Sequence, residues 1–472
     1  MTVKKSALLI GPLFFLIVLF IPHGNVDELS WRVFAVALWM LVWWLTETVN
    51  LAVTALIPLV LFPLLDILSL KEVSTNYSNP LVFLFFGGFL LALGIEKWHL
   101  HRRIALTIIR VTGTSTMKIF LGTMLATAFM SMWISNTATT VMMLPIVLSI
   151  VDLIETKSNS KLAVLLLIGL AWSANIGGMA TLIGTPPNLI LAGFMKEELG
   201  REIYFSDWIL FGLPLSLVLL IVAFYLLKFF LPKEERGNES ERAQELISEE
   251  LKKLGPIKGP ELRVLIVFIL TAFAWIGRKY LVDLTGFDQI SDTTIAMTGG
   301  LSLFVIPNPK KSKHSKRILV WKDTQRLAWG ILILFGGGLA LASAIQRSTW
   351  VLRIGEYVGG FEISHVIVLI SILTVMGVFL TEVISNLALV TALLPLVAAI
   401  AVGANTDFYE LALPLTLGAS CAFMLPMATP PNAIVFGSNR ITVMQMARYG
   451  FMMNWLAIVI IVATMYVLSY FL

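Results

Sequence analysis

The sequence predicts an all-α polytopic membrane protein built from two related halves. Two observations predict it. Of 472 residues, 58% are hydrophobic and only 13% charged, and apolar runs extend from one end of the chain to the other. Such a composition suits helices that satisfy their own backbone groups in lipid. In addition, two polar phrases each occur twice, in the same order. Ser135-Asn136-Thr137 precedes Gly184-Thr185-Pro186-Pro187-Asn188, and Ser385-Asn386-Leu387 precedes Ala428-Thr429-Pro430-Pro431-Asn432. Each interrupts a run otherwise fit to cross a bilayer, and a broken membrane helix duplicated in two halves points to a transporter.

Taken in order, the apolar runs give about eleven full spans, near 6–22, 30–46, 50–66, 80–96, 162–179, 208–230, 263–281, 293–307, 327–345, 411–427 and 450–471. The opening run, Ser6 to Ile21 after Lys4 and Lys5, has no small-x-small cleavage site behind it and reads as an uncleaved first span. Two further segments, about 119–151 and 364–402, each carry a Ser-Asn phrase and fit either a re-entrant hairpin or a pair of crossings. The polar insert Pro232–Pro260 reads as a linker. Leu246, Ile247, Leu251 and Leu254 share one face of a short surface helix there, and Glu249 and Lys253 stand at i,i+4.

Charge orients the bundle. With the N-terminus in the cytoplasm, inner loops collect 26 of the 34 Lys and Arg residues, as the positive-inside rule requires, and the C-terminus then faces out. The pI near 9.1 therefore reflects inner-leaflet topology rather than nucleic-acid binding. The single cysteine, Cys421, excludes disulfides within the chain and reads as a small core residue. The five histidines stand at or near span ends. His99 and His101, beside Arg102 and Arg103, suggest a solvated inner-surface helix, not a metal site.

The repeat is ordered. Leu84-Phe85 and Leu334-Phe335 with their glycines, the two Ser-Asn phrases, and Pro145 and Pro395 are all 250 positions apart, whereas the Thr-Pro-Pro-Asn phrases are 244 apart. Five crossings separate Asn136 from Asn386, and an odd number inverts the second half relative to the first, which places a shared site near the midplane. Ser, Asn and Thr suit helix N-caps and Pro the position after, so four helix N-termini with their positive dipole ends would face one volume and attract carboxylates. No Lys or Arg lies in 131–145, 184–190, 381–395 or 428–434. An anion there would need bound cations for its remaining charge, and unwound carbonyls beside Ser, Thr and Asn oxygens are suitable Na⁺ ligands. Glu382, just before Ser385, is an intramembrane carboxylate and thus a functional candidate, as a cation ligand, a proton carrier or a support of the loop. The chain lacks H-E-x-x-H and any Cys/His constellation, which argues against an intramembrane enzyme.

At these residues the chain resembles the divalent anion/sodium symporter family, from about residue 30 to the end. Besides the duplicated phrases, the resemblance rests on Asn79-Pro80 with Gly87-Gly88, Ile290-Ser291-Asp292, Trp321-Lys322-Asp323 and Gly336-Gly337-Gly338. It implies a homodimer of elevator-type transporters with two re-entrant hairpins and two inverted-topology repeats, 30–231 and 263–472, after a first span in 1–29 and around a cytoplasmic linker, 232–262. It implies that Ser135, Asn136, Thr137, Ser385, Asn386, Thr429 and Pro430 hold a C4-dicarboxylate such as succinate, fumarate or malate. One Na⁺ would sit near Ser131, Ser135, Asn136 and Gly184, and another near Thr381, Ser385, Asn386 and Ala428. The chain departs from the family at Leu387, where Thr is common. Exchange of dicarboxylates, or transport of another divalent anion such as sulfate, is the alternative the family offers.

Overall fold

A computed structural model describes residues 2–24, 26–113, 115–154, 161–231, 240–312, 315–359 and 366–468. Among these, the protein is almost wholly helical. The exception is a small antiparallel strand pair, Pro307–Ser312 with Ser315–Arg317, in the basic loop of 310–326. Among the described residues, seven helices are long and apolar enough to cross a bilayer. An eighth span forms if Pro260–Ile276 and Arg278–Thr285, bent by 79° at Gly277, are counted together.

Several expected spans are shorter or broken. The run 50–66 is two short helices, Leu51–Thr54 and Ile57–Leu64; 293–307 is the 14-residue helix Asp292–Val305; and 411–427 is helical only to Ala419. Each segment that carries a Ser-Asn phrase is a pair of helices meeting at the phrase: Thr116–Ser131 with Asn136–Ile154, and Val366–Leu380 with Asn386–Gly403.

The same order of elements occurs twice. Pro80–Lys97, Leu100–Thr112, the paired helices, a broken helix and the 26-residue helix Phe205–Phe230 are followed in the second half by Trp329–Arg347, Trp350–Gly359, the second pair, the second broken helix and the 26-residue helix Val443–Leu468. Side-chain caps set several helix starts. Asn79 accepts from Leu81 N at 2.8 Å before Pro80, and Ser291 closes a capping box with Thr294. The core centres on Lys161–Met179, buried along its whole length from Leu162.

On the basic side the linker helix Ser240–Leu254 buries Ile247, with Leu251 and Leu254 half-buried behind it. Lys253 pairs with Glu250 at 2.8 Å, one position from the expected Glu249, and Glu250 also meets Arg102. His101 is buried, not solvated as expected. Its Nδ1 lies 3.2 Å from Ile95 O, and burial pushes its pKa down to about 4, leaving the ring neutral at physiological pH. His314 and His365 lie outside the described residues.

Candidate functional site

The two Ser-Asn phrases begin helices in the manner their chemistry predicts. Ser135 Oγ accepts from Ala138 N and Ser385 Oγ from Ala388 N, both at 3.3 Å. Thr185 and Thr429 also stand at N-caps before Pro, but neither hydroxyl caps its helix. The Thr429 hydroxyl accepts instead from Asn175 Nδ2 at 3.1 Å. The expected Thr cap is corrected accordingly: a cap accepts from the second or third N–H of its helix, and Pro187 and Pro431 leave none at the second position, so the Thr429 hydroxyl serves other bonds.

In the first half, Ser131, Asn136 and Gly184 come together around the end of Lys161–Met179. Ser131 Oγ lies 2.7 Å from Asn136 Oδ1 and 2.7 Å from Ala174 O. A hydroxyl has one proton, so three oxygens converge there with a single donor among them. Asn136 packs against Gly178 so closely that a Cβ at 178 would stand 2.4 Å from its Oδ1, and a Cβ at Gly184 would stand 2.5 Å from Gly178 O. Asn188 donates to Gly178 O at 3.2 Å and Thr181 O at 2.8 Å, while its own Oδ1 is buried and unpartnered. The set is oxygen-rich and has no His or Cys ligand, which suits a hard cation. Ser135 and Thr137 stand exposed beside it.

In the second half, Thr381 Oγ1 donates to Ala419 O at 2.8 Å, as Ser131 does to Ala174 O. Asn432 donates to Ala422 O at 3.2 Å and Leu425 O at 3.0 Å, as Asn188 does in its half, and its Oδ1 is likewise buried and unpartnered. Asn386 differs from Asn136, because its Oδ1 accepts from Leu387 N at 2.8 Å and so turns back on its own backbone. Among the described residues no hydrogen bond joins Ser385 or Asn386 to the Asn136 cluster; Thr429 is the predicted residue that reaches across, through Asn175. Pro430 is exposed at the open face and Ala428 is buried, its N–H bonded to Leu425 O.

Glu382 is placed for one of its three candidate roles, the support of the loop. Its Oε1 accepts from Phe423 N at 2.8 Å, Met424 N at 2.9 Å and Asn454 Nδ2 at 2.8 Å, and its Oε2 from Leu425 N at 2.9 Å. A carboxylate so engaged supports the loop.

A model of the sodium:sulfate symporter transmembrane region matches residues 3–472. The chain belongs to this family. It is therefore a multi-pass membrane transporter with Na⁺ as its coupling ion, and not an enzyme. Among its relatives, a protein of Staphylococcus saprophyticus named sodium-dependent dicarboxylate transporter SdcS is 42% identical over 471 residues, covering 98% of this chain and 90% of that protein. Proteins of the same name from Staphylococcus aureus strains MSSA476 and MRSA252 are 41% and 40% identical, covering 97% and 98% of this chain and 90% and 91% of theirs.

Four residues of the site were not singled out from sequence. Asn188 and Asn432 end the Thr-Pro-Pro-Asn phrases, so the repeat itself marks them. Asn175 and Asn454 are lone amides in apolar helices, and a polar residue at membrane depth is a signal of its own.

Proposed function

We propose that the protein imports a C4-dicarboxylate, with succinate, fumarate and malate as candidate substrates, across the cytoplasmic membrane by Na⁺ symport. The observation that carries this is the pair of breaks in which Ser131 with Asn136 and Thr381 with Asn432 line oxygen-rich ends of interrupted helices. Helix N-termini at the Ser-Asn phrases favour carboxylates, and the absence of Lys or Arg from these segments leaves bound Na⁺ to balance the substrate's charge. The relatives' names support a dicarboxylate over other anions.

In this proposal Ser135, Asn136, Thr137, Ser385, Asn386, Thr429 and Pro430 hold the substrate. One Na⁺ takes Ser131, Ser135, Asn136 and Gly184, and the other Thr381, Ser385, Asn386 and Ala428. The halves 30–231 and 263–472 are inverted repeats flanking the 232–262 linker, and the paired helices are re-entrant hairpins of an elevator-type homodimer. The N-terminus lies in the cytoplasm and the C-terminus outside. Leu387 favours a second reading, in which the preferred anion is another divalent species such as sulfate, because it stands where the first phrase has the Thr137 hydroxyl.

Labelled succinate uptake into proteoliposomes tests these together. Uptake under an inward Na⁺ gradient, but not under an equimolar K⁺ gradient, is the expected result. Uptake driven by internal succinate without Na⁺ would establish exchange. No uptake under any condition, with sulfate uptake in its place, would overturn the dicarboxylate assignment.

A further inference from the structure

The buried helix Lys161–Met179 touches both breaks, on different flanks. On one flank, Ala174 O meets Ser131 Oγ and Gly178 lies against Asn136, which are the contacts of the first half's oxygen cluster. On the other, Trp172, Asn175 and Met179 form a stripe at i, i+3 and i+7, the spacing of one helix face. Trp172 Nε1 donates to Phe423 O at 3.1 Å, Asn175 Nδ2 to Ala422 O and Thr429 Oγ1, each at 3.1 Å, and Met179 Sδ lies 3.9 Å from Cys421 Sγ. All four partners belong to the unwound segment of the second half.

The reverse connection is missing among the described residues. Ala174 and Ala419 accept equivalent hydroxyls and are 245 positions apart, so Asn175 corresponds to Ser420 and Trp172 to Leu417. Ser420 Oγ bonds only back to Thr416 O at 3.3 Å in the helix that ends before it, and a leucine side chain has no donor. The Asn175 amide is oriented by what it holds, since turning it would set its oxygen against the Ala422 carbonyl. Its own Oδ1 is buried and unpaired, an arrangement that persists because both Nδ2 bonds compensate for it.

Resting on the Na⁺ symport proposed above, we propose that Asn175 is a positioning residue that couples the two cation sites. It fixes the Ala422 carbonyl and the Thr429 hydroxyl relative to the same rigid helix that carries Ala174 and Gly178. Filling the first half's oxygen cluster orders that helix end, and Asn175 transmits the order to the second half's site, so Na⁺ binds cooperatively. The physical link is one shared element biased from both flanks, as coupling between sites requires.

The test is Na⁺ titration of wild type, Asn175→Ala and Asn175→Asp, read in two ways: initial rate of labelled succinate uptake, and Na⁺-dependent thermal stabilisation of the purified protein. Asn175→Ala is expected to raise the half-saturating Na⁺ concentration about tenfold, the change that loss of one or two buried hydrogen bonds produces in a binding constant. The Hill coefficient should fall toward 1. Asn175→Asp, equal in shape but setting oxygen against oxygen, should equal or exceed that shift. Trp172→Phe removes the indole N–H, and part of the ring with it, while keeping an aromatic ring in place; it should move the Na⁺ midpoint in the same direction by a smaller factor, which decides the matter if the Asn175 variants do not fold. An unmoved Na⁺ midpoint and Hill coefficient, whether or not the maximal rate falls, would overturn the coupling role. If wild type takes up no succinate, the symport proposal fails on its own, and the thermal titration still decides the coupling by whether the Na⁺ midpoint moves.

Discussion

In the first half, the helix Lys161–Met179 runs 19 residues before it breaks, and Asn188, at the start of the next helix, holds Gly178 O and Thr181 O from within the same half. In the second half, its counterpart Phe408–Ala419 stops after 12 residues, and everything from Ser420 to Thr429 is unwound. The reason is a set of competing partners. Glu382 takes the N–H groups of Phe423, Met424 and Leu425 that a continued helix would use. Asn175, Trp172 and Asn432 take the carbonyls of 422, 423 and 425. A buried backbone must find partners somewhere, and here side chains replace the helix as that source. The first break is thus self-contained and shaped by close glycine packing, whereas the second depends on a buried carboxylate and on donors lent by the first half.

The most severe way to break the second segment is to remove its carboxylate. Hydrogen bonds to a charged group contribute about 1.5–3 kcal/mol each, so losing even two implies more than 100-fold. Glu382→Ala is expected to lower Na⁺-driven succinate uptake by at least that factor. Glu382→Gln, which keeps one acceptor but turns an amide N–H₂ toward a backbone N–H, should follow closely. Uptake within a few fold of wild type, measured against equal reconstituted protein, would show that the unwound segment holds its shape without the charge.

The two asparagines of the Ser-Asn phrases come next. Asn136→Ala and Asn386→Ala are each expected to abolish uptake in protein that remains monodisperse by size-exclusion chromatography. Normal transport by either variant would remove that residue from the site. A sharper contrast lies at positions 178 and 422, related by the same 244-residue offset as Asn188 and Asn432. Gly178→Ala would place a methyl 2.4 Å from Asn136 Oδ1 and is expected to raise the half-saturating Na⁺ concentration at least tenfold. Ala422→Gly removes a methyl from the looser half and should change it by less than about threefold. Equal effects at the two positions would contradict the difference in packing between the breaks.

Much of this was legible from residue types alone. The duplicated phrases located both breaks, and the Ser135 and Ser385 caps formed as short hydroxyl side chains do. The length of the second break was not legible. Cys421 to Phe423 is as apolar as a spanning helix, and hydropathy reports the solvent a segment prefers, not which side chains claim its backbone. Glu382 was a visible candidate, yet only its four donors distinguish a loop support from a cation ligand. His101 misled for the opposite reason. Its basic neighbours suggest water, while the helix Leu100–Thr112 turns that face toward the core. Asn175 acts across 247 positions of chain, a separation that no local pattern encodes.

The smallest effect is expected at the one position where the two phrases differ in chemistry. Thr137 is exposed at the open face, but Leu387 is buried at 9% exposure, its N–H engaged by Asn386 Oδ1 and its carbonyl by Thr391 Oγ1 at 2.8 Å. A threonine there would lose roughly 1–2 kcal/mol of apolar burial and would place its hydroxyl among apolar neighbours. It would act on the substrate through the Asn386 amide next to it. Leu387→Thr should therefore shift the relative uptake of succinate, malate and sulfate by no more than about threefold, with a measurable drop in thermal stability. A shift of tenfold or more would mean that the side chain at 387 faces the bound anion, and the two phrases would then be more alike in function than their packing suggests. An unchanged profile would place position 387 outside the site, and selectivity would rest with Thr137, in the half that builds its break without help from the other.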